Sequence, residues 1–269
     1  MNYLLFDLNG TTVDCGCLAP IAAIAEAFRR RGVPIDPILA KDPSGQYPLA
    51  HVERILADPG LKREWERVTG LPPAPGDGAA IWREAEACQS ALAPLHADPI
   101  PGFAKVIADF RGQGIRVGAT STDALSTVEV MRPNMSAKGW TPDVIATATD
   151  APSTPPAPYI HQLAAMRLGA PSVSDCVAIG DTPADMQAAR NAGMWAVGVT
   201  LTGSAAGLPW TVLRDLSSDD RARLRDRAAP ALHAAGAHVL IDTVLDTSVA
   251  LDLLRRPSLA AFRRWQRRR

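Results

Sequence analysis

The sequence predicts an α/β fold, a doubly wound parallel sheet with an α-helical cap inserted after its first strand. Three observations predict it. An apolar run of strand length, Leu4-Leu5-Phe6, opens the chain and ends at Asp7. From Ile100 onward, short strand-like runs alternate with helical patterns, which is how parallel strands joined by helical crossovers read. Between these regions lie about sixty residues with helical periodicity and no strand signal.

Each element follows in order. The first strand breaks at Gly10-Thr11-Thr12, a turn signal. Residues 20–31 form an amphipathic pattern: proline suits the first turn, Ile21, Ile24, Ala25 and Phe28 share a face, and Gly32 stops it. Helical patterns at 49–56, 61–68 and 81–92 are separated by breaks such as Leu71-Pro72-Pro73-Ala74-Pro75-Gly76. Beyond them come a helix at 103–110 and a strand at 115–119 that runs into Thr120-Ser121-Thr122, with Asp123 starting the next helix. A strand at 144–146, a helix at 159–168 and a strand at 176–179 follow, the last leading into Gly180-Asp181-Thr182-Pro183. The pattern closes with a helix at 184–191, strands at 195–199 and 238–241, and a helix to about Leu254. The expected division is a core of residues 1–20 and 95–255, a helical cap of 21–94, and a basic tail of 256–269. A cap in that position covers the sheet edge where loops carry function.

Composition excludes several classes. The 28 basic and 28 acidic residues balance, which argues against nucleic acid or a membrane surface as the main partner. The arginine-rich C-terminus, with Phe262 and Trp265, is then expected to be a solvated extension or a subunit contact. Cys15, Cys17, Cys88 and Cys176 lack metal-ligand spacing and are expected as reduced thiols. No apolar run reaches membrane length and Met1 leads almost directly into a strand, so a soluble cytoplasmic protein is expected.

The chemistry lies at three strand ends. Asp7, Ser121 and Asp181 each close a strand and precede a turn into a helix, where open α/β sheets place their ligands. If these strands are neighbours, Asp7 is a carboxylate nucleophile, and Ser121 and Thr122, with Gly10 and Thr11, are candidates to hold a phosphoryl oxygen beside helix amides. Asp181 and Asp185, with Asp7 and the Asn9 carbonyl, form an oxygen-rich set suited to Mg²⁺. Read singly, Asp181 and Asp185 are ordinary helix-capping acids.

The runs Asp7-Leu8-Asn9-Gly10-Thr11-Thr12-Val13-Asp14, Ser121 and Gly180-Asp181-Thr182-x-x-Asp185 resemble motifs of the haloacid dehalogenase-like superfamily. Within it the phosphonatases are most similar, through Gly16-Cys17-Leu18-Ala19-Pro20, Arg31-Gly32-Val33 and Asn191-Ala192-Gly193-Met194-Trp195-Ala196-Val197-Gly198-Val199. The resemblance extends over residues 1–254. It implies a Rossmann-like core, a helical cap, Mg²⁺, a small phosphonate or phosphate substrate, and usually a homodimer. It also implies Asp7 as the nucleophile, and a metal held by Asp7, the Asn9 carbonyl and Asp181.

The chain departs from that pattern in three places. Asn9 stands where most superfamily phosphatases carry a general acid, and an amide delivers no proton. Phosphonatases also lack that acid, so Asn9 favours C–P cleavage over ester hydrolysis. The family's cap lysine, which forms a Schiff base with the aldehyde, is matched by Asp42, with Lys41 one residue earlier. Pro155 falls where a basic residue is expected. Three readings stay open: a phosphonatase in which Lys41 supplies the amine; a divergent hydrolase without an imine, acting on a carbonyl phosphonate with a protonated Asp42 as donor or on a phosphate with a good leaving group; and an inactive relative that binds a phosphoryl ligand.

Overall fold

The computed structural model describes residues 1–41 and 49–255, so Asp42, Tyr47 and the arginine-rich tail lie outside the described residues. Six strands form one parallel sheet in the order β3-β2-β1-β4-β5-β6. They are β1 (Tyr3–Asp7), β2 (Arg116–Ser121), β3 (Val144–Thr147), β4 (Cys176–Gly180), β5 (Trp195–Val199) and β6 (Val239–Ile241). The strands read as near-continuous apolar runs because both faces are covered, as parallel sheets require.

In β1, Leu4 and Phe6 point into one core cluster and Leu5 into the other. The first cluster takes up α6 (Phe103–Gly112), α7 (Leu125–Ala137) and α12 (Thr247–Arg255). Its centre is aromatic: Phe103 meets Phe6 edge-on at 5.1 Å and Trp140 at 5.0 Å. The second cluster is built from smaller side chains on α8 (Tyr159–Arg167), α9 (Pro183–Asn191) and α11 (Ser218–Ala234). Truncating the fully buried Phe6 to alanine is expected to cost about 3–5 kcal/mol.

Between β1 and β2 the chain forms α1 (Leu18–Arg30), α2 (Pro37–Ala40), α3 (Leu49–Ala57), α4 (Pro59–Thr69) and α5 (Asp77–Leu92). These helices have an apolar cluster of their own, which includes Phe28, Ile55, Trp65 and Ile81. Trp65 belongs to that interior, with its ring edge-on to Phe28 at 6.4 Å. On the outside, Glu84 of α5 pairs with Arg30 and Arg31.

Two features of the helical layer differ from the sequence expectation. The helix after β2 begins at Leu125 rather than Asp123, because the Asp123 backbone and carboxylate take partners outside it. Helix α11, like the one-turn α10 (Trp210–Leu213), has no counterpart in the sequence reading. Its buried residues are only Ala228 and Leu232, and Pro230 lies inside it, so its apolar stripe is too thin to stand out.

Candidate active site

The strand order decides what meets at the sheet's carboxyl edge. β1 is flanked by β2 and β4, with Asp7 paired to Thr120 and Phe6 to Ile179. Asp7 therefore ends level with the two neighbouring strands, and the residues after Thr120 and Ile179 border it from either side. Oxygens of Asp7, Asp181 and Asp185 all lie within 4.8 Å of one another. This cluster forms the floor of a cavity of about 760 Å³.

Each acid is held from below. Asp181 is buried, and its Oδ2 accepts from the backbone N–H and hydroxyl of Ser204 (2.7 and 2.8 Å) while Oδ1 accepts from Thr11 Oγ1 (3.1 Å). Gly10 runs so close that a Cβ there would sit 2.9 Å from Asp181 Oδ2. Asp185 closes a capping box at the start of α9, where its Oδ2 accepts from the Thr182 amide (3.0 Å) and hydroxyl (2.6 Å). The capping and the site-forming readings of Asp185 thus hold together in one side chain.

Burial and mutual repulsion raise the acidities' midpoints. The Asp7 carboxyl is pushed well above its usual range by burial first, then by Asp185 and Asp181. Burial and the neighbouring Asp185 lift Asp181 to about 6, and burial lifts Asp185 as well. Among the described residues, no lysine, arginine or histidine lines the cavity. Clustered all-oxygen donors with no nearby cation fit a hard divalent ion, which would relieve this repulsion.

The other sequence candidates divide. Asn9 and Thr122 line the cavity, as do Cys17, Trp82 and Pro155. Ser121 is not among the lining residues: its hydroxyl donates to Asp123 Oδ2 (3.3 Å) and accepts from the Asp123 amide (3.1 Å). The amides of Gly10 and Thr11 are committed to carbonyls within the turn, those of Val13 and Leu8 respectively, which makes these residues supports of Asp181. Lys41 also stays off the cavity wall, its Nζ donating to the Ala206 carbonyl at 2.9 Å. Of the histidines, His161 is buried without a partner for Nδ1, and burial brings it down to about 4, so it packs as a neutral ring. His238 Nδ1 accepts from the Ala196 amide at 2.9 Å, a structural role on β5.

The residue that sequence reasoning missed is Asp123. Its Oδ2 accepts from Asn9 Nδ2 at 2.6 Å and its Oδ1 from Gln89 Nε2 at 3.1 Å. It thereby ties the turn after Asp7 to helix α5. A second tie joins the hydroxyls of Ser90 on α5 and Thr127 on α7 at 3.0 Å. Trp82, Glu86, Gln89 and Ser90 of α5 form the wall facing the acids.

A model of the haloacid dehalogenase-like hydrolases matches residues 1–193. The chain belongs to that family. Phosphonoacetaldehyde hydrolase of Nitratidesulfovibrio vulgaris (strain DSM 19637 / Miyazaki F) is 37% identical over 243 residues, which span 90% of this chain and 87% of that protein. The protein of the same name from Bacillus cytotoxicus is 34% identical over 93% of this chain and 95% of its own length. A crystal structure of a phosphonoacetaldehyde hydrolase-like protein from Oleispira antarctica has a TM-score of 0.80 at 30% identity, covering 95% of this chain and 93% of that one. This haloacid dehalogenase-like hydrolase is therefore an enzyme related to the phosphonoacetaldehyde hydrolases.

Proposed function

We propose that the enzyme cleaves a small phosphonate at its C–P bond, with Asp7 as nucleophile and Mg²⁺ as cofactor. The observation that carries this reading is the convergence of Asp7, Asp181 and Asp185 within 4.8 Å on the floor of a cavity that no cationic side chain lines among the described residues. Similarity to proteins named phosphonoacetaldehyde hydrolase supports the bond type. Asp7, Asp181, Asp185 and the Asn9 carbonyl are the groups that would hold the metal. When bound, it would offset the charge of the acids and of the substrate's phosphoryl oxygens.

Asp7 attacks phosphorus as the P–C bond breaks, and the bonding pair passes to carbon, where a carbonyl beside that carbon accepts it as an enolate. Water then cleaves the aspartyl phosphate, returning free Asp7 and inorganic phosphate. Asn9 supplies no proton to the leaving group, since its side chain is an amide donating to Asp123. This favours a leaving group that needs none, such as a stabilised carbanion. A phosphate ester with a good leaving group satisfies the same requirement, and it is the second reading. Helices α1–α5 would act as the cap over the acids, and two chains would pair as a homodimer.

Phosphate release from phosphonoacetaldehyde and from a panel of phosphomonoesters, with and without Mg²⁺, tests the reaction. Loss of release in Asp7→Asn is expected, and full turnover in that variant would refute the nucleophile. Borohydride in the presence of phosphonoacetaldehyde tests the imine route. Labelling at Lys41 would show that its amine leaves the Ala206 carbonyl during turnover; no adduct is expected.

A further inference from the structure

A single turn holds Asp181 and is itself gripped by the helices between β1 and β2. After β5 the chain folds back at Gly203, whose carbonyl accepts from the Ala206 and Gly207 amides, both at 3.1 Å. The start of this turn lies against Asp181. A Cβ at Gly203 would sit 2.7 Å from the Asp181 Cβ, and the Ser204 amide and hydroxyl both donate to Asp181 Oδ2. Two donors on one short turn fix the carboxylate, so a displacement of the turn displaces that oxygen.

The other side of the turn meets the chain around α1 and α2. In the linker between β1 and α1, the Gly16 amide donates to the Thr202 carbonyl at 2.7 Å and the Cys15 thiol to the Leu208 carbonyl at 3.4 Å. Between those two points Lys41, just beyond α2, donates from Nζ to the Ala206 carbonyl at 2.9 Å. The fit is close. Gly207, at φ 60°, makes room for the amine, since a Cβ there would collide with Lys41 Nζ and Cε. Lys41 is half-buried, and its bond joins an ammonium to a carbonyl, which makes it about twice as strong as one between neutral groups. Cys15 and Gly16 precede the helices, whereas Lys41 lies among them, so its grip follows where the helices stand.

We propose that Lys41 is a positioning residue for the metal site: through the Ala206 carbonyl it fixes the turn whose Ser204 holds Asp181, and so couples divalent-ion affinity to the placement of helices α1–α5. This rests on the reading of Asp7, Asp181 and Asp185 as metal ligands. It is distinct from an imine role, because the amine acts through a backbone carbonyl and never touches the substrate. Coupling runs in both directions. An ion bound at Asp181 steadies the turn that receives Lys41, and with it the seating of α2.

Mg²⁺ binding to the full chain, followed by calorimetry without substrate, tests this coupling. Lys41→Met keeps the length of the side chain and removes the donor, and it is expected to weaken Mg²⁺ binding about fivefold. Its metal-free melting temperature is expected to stay within about 2 °C of the parent, since only one half-exposed bond is lost. Lys41→Arg retains a charged donor and is expected to bind Mg²⁺ within about twofold of the parent. In hydrogen exchange, Mg²⁺ is expected to slow the amides of residues 203–207 in the parent and in Lys41→Arg, and less so in Lys41→Met. Mg²⁺ affinity unchanged in Lys41→Met, or a loss that Lys41→Arg does not recover, would overturn the proposal while leaving the metal site standing. A parent chain that binds no Mg²⁺ would refute the metal site itself, and the proposal with it.

Discussion

On the sheet side of the cavity, Asp181 and Asp185 are fixed by Ser204, Thr11 and Thr182, and the strand that leads into them, β4, is paired on both edges. On the α5 side, Glu86 has no partner among the described residues, and Gln89 and Ser90 reach the core through one hydrogen bond each. The difference separates two tasks. Acids that must be ready to meet charge before the substrate arrives are locked, because preorganisation there lowers the cost of reaction. The α5 groups on the facing wall are held by single hydrogen bonds or none, and their exchange is expected to cost little in folding.

The largest test of this contrast is removal of the proposed nucleophile. Asp7→Asn is expected to lower phosphate release by about 10³-fold or more, as loss of a nucleophile does, without loss of the fold. Measured by circular dichroism without metal, its melting temperature is expected to match or exceed that of the parent, since one repelling charge is gone.

Next comes the metal and pH. Asp181 has a folded midpoint of about 6, above the ordinary carboxylate value near 4, so between these values the folded state binds more protons than the unfolded. Metal-free stability should therefore fall as pH rises from about 4 to about 6 and stay low above it. A divalent ion at about 100 times its dissociation constant should restore about 2.7 kcal/mol at neutral pH, or several degrees in melting temperature. That gain should fade as pH drops through about 6, because protons then compete for the same oxygens. A Mg²⁺-induced shift that is independent of pH between 5 and 8, with the range set by the same carboxylate titration, would count against the acid cluster as the metal site.

Smaller effects separate α5 from the sheet edge. Thr182→Ala removes the N-cap donor to Asp185 and should cost about 1 kcal/mol, seen as a drop of about 2–4 °C in scanning calorimetry. Gln89→Ala lies at the mild end: stability within about 0.5 kcal/mol of the parent, but a raised KM because Asp123 and Asn9 lose their tie to α5. Equal stability losses in the two variants would erase the contrast drawn above.

How far the sequence carried depends on whether a signal is local. The runs Leu4–Asp7 and 195–199 are apolar on both faces and end sharply, so their strand character and the position of Asp7 were legible. Asp181 and Asp185 stand four residues apart beside Gly180 and Thr182, which made the pair visible as caps and as ligands. Asp123 was read as a helix start because a lone acid before a helix has that meaning. Its partners, Asn9 and Gln89, are 114 and 34 residues away, a distance no sequence period spans. Lys41 stood out for its nearness to Asp42, yet the fold directs its amine to the Ala206 carbonyl. Pro155 was noted for replacing a cation, and the cavity wall does contain it. Glu86 left no mark, since a glutamate on a helix reads as solvated, and the fold leaves it exposed even as it lines the cavity.

The two threads from α5 to the core, Gln89–Asp123 and Ser90–Thr127, are consequential for how such a scaffold diversifies. If the central strands carry the proposed phosphorus chemistry, descendants can inherit it intact while they trade residues along one helix face. New appetites for metabolites would then arise through a handful of neutral steps, with no need to rebuild the catalytic apparatus.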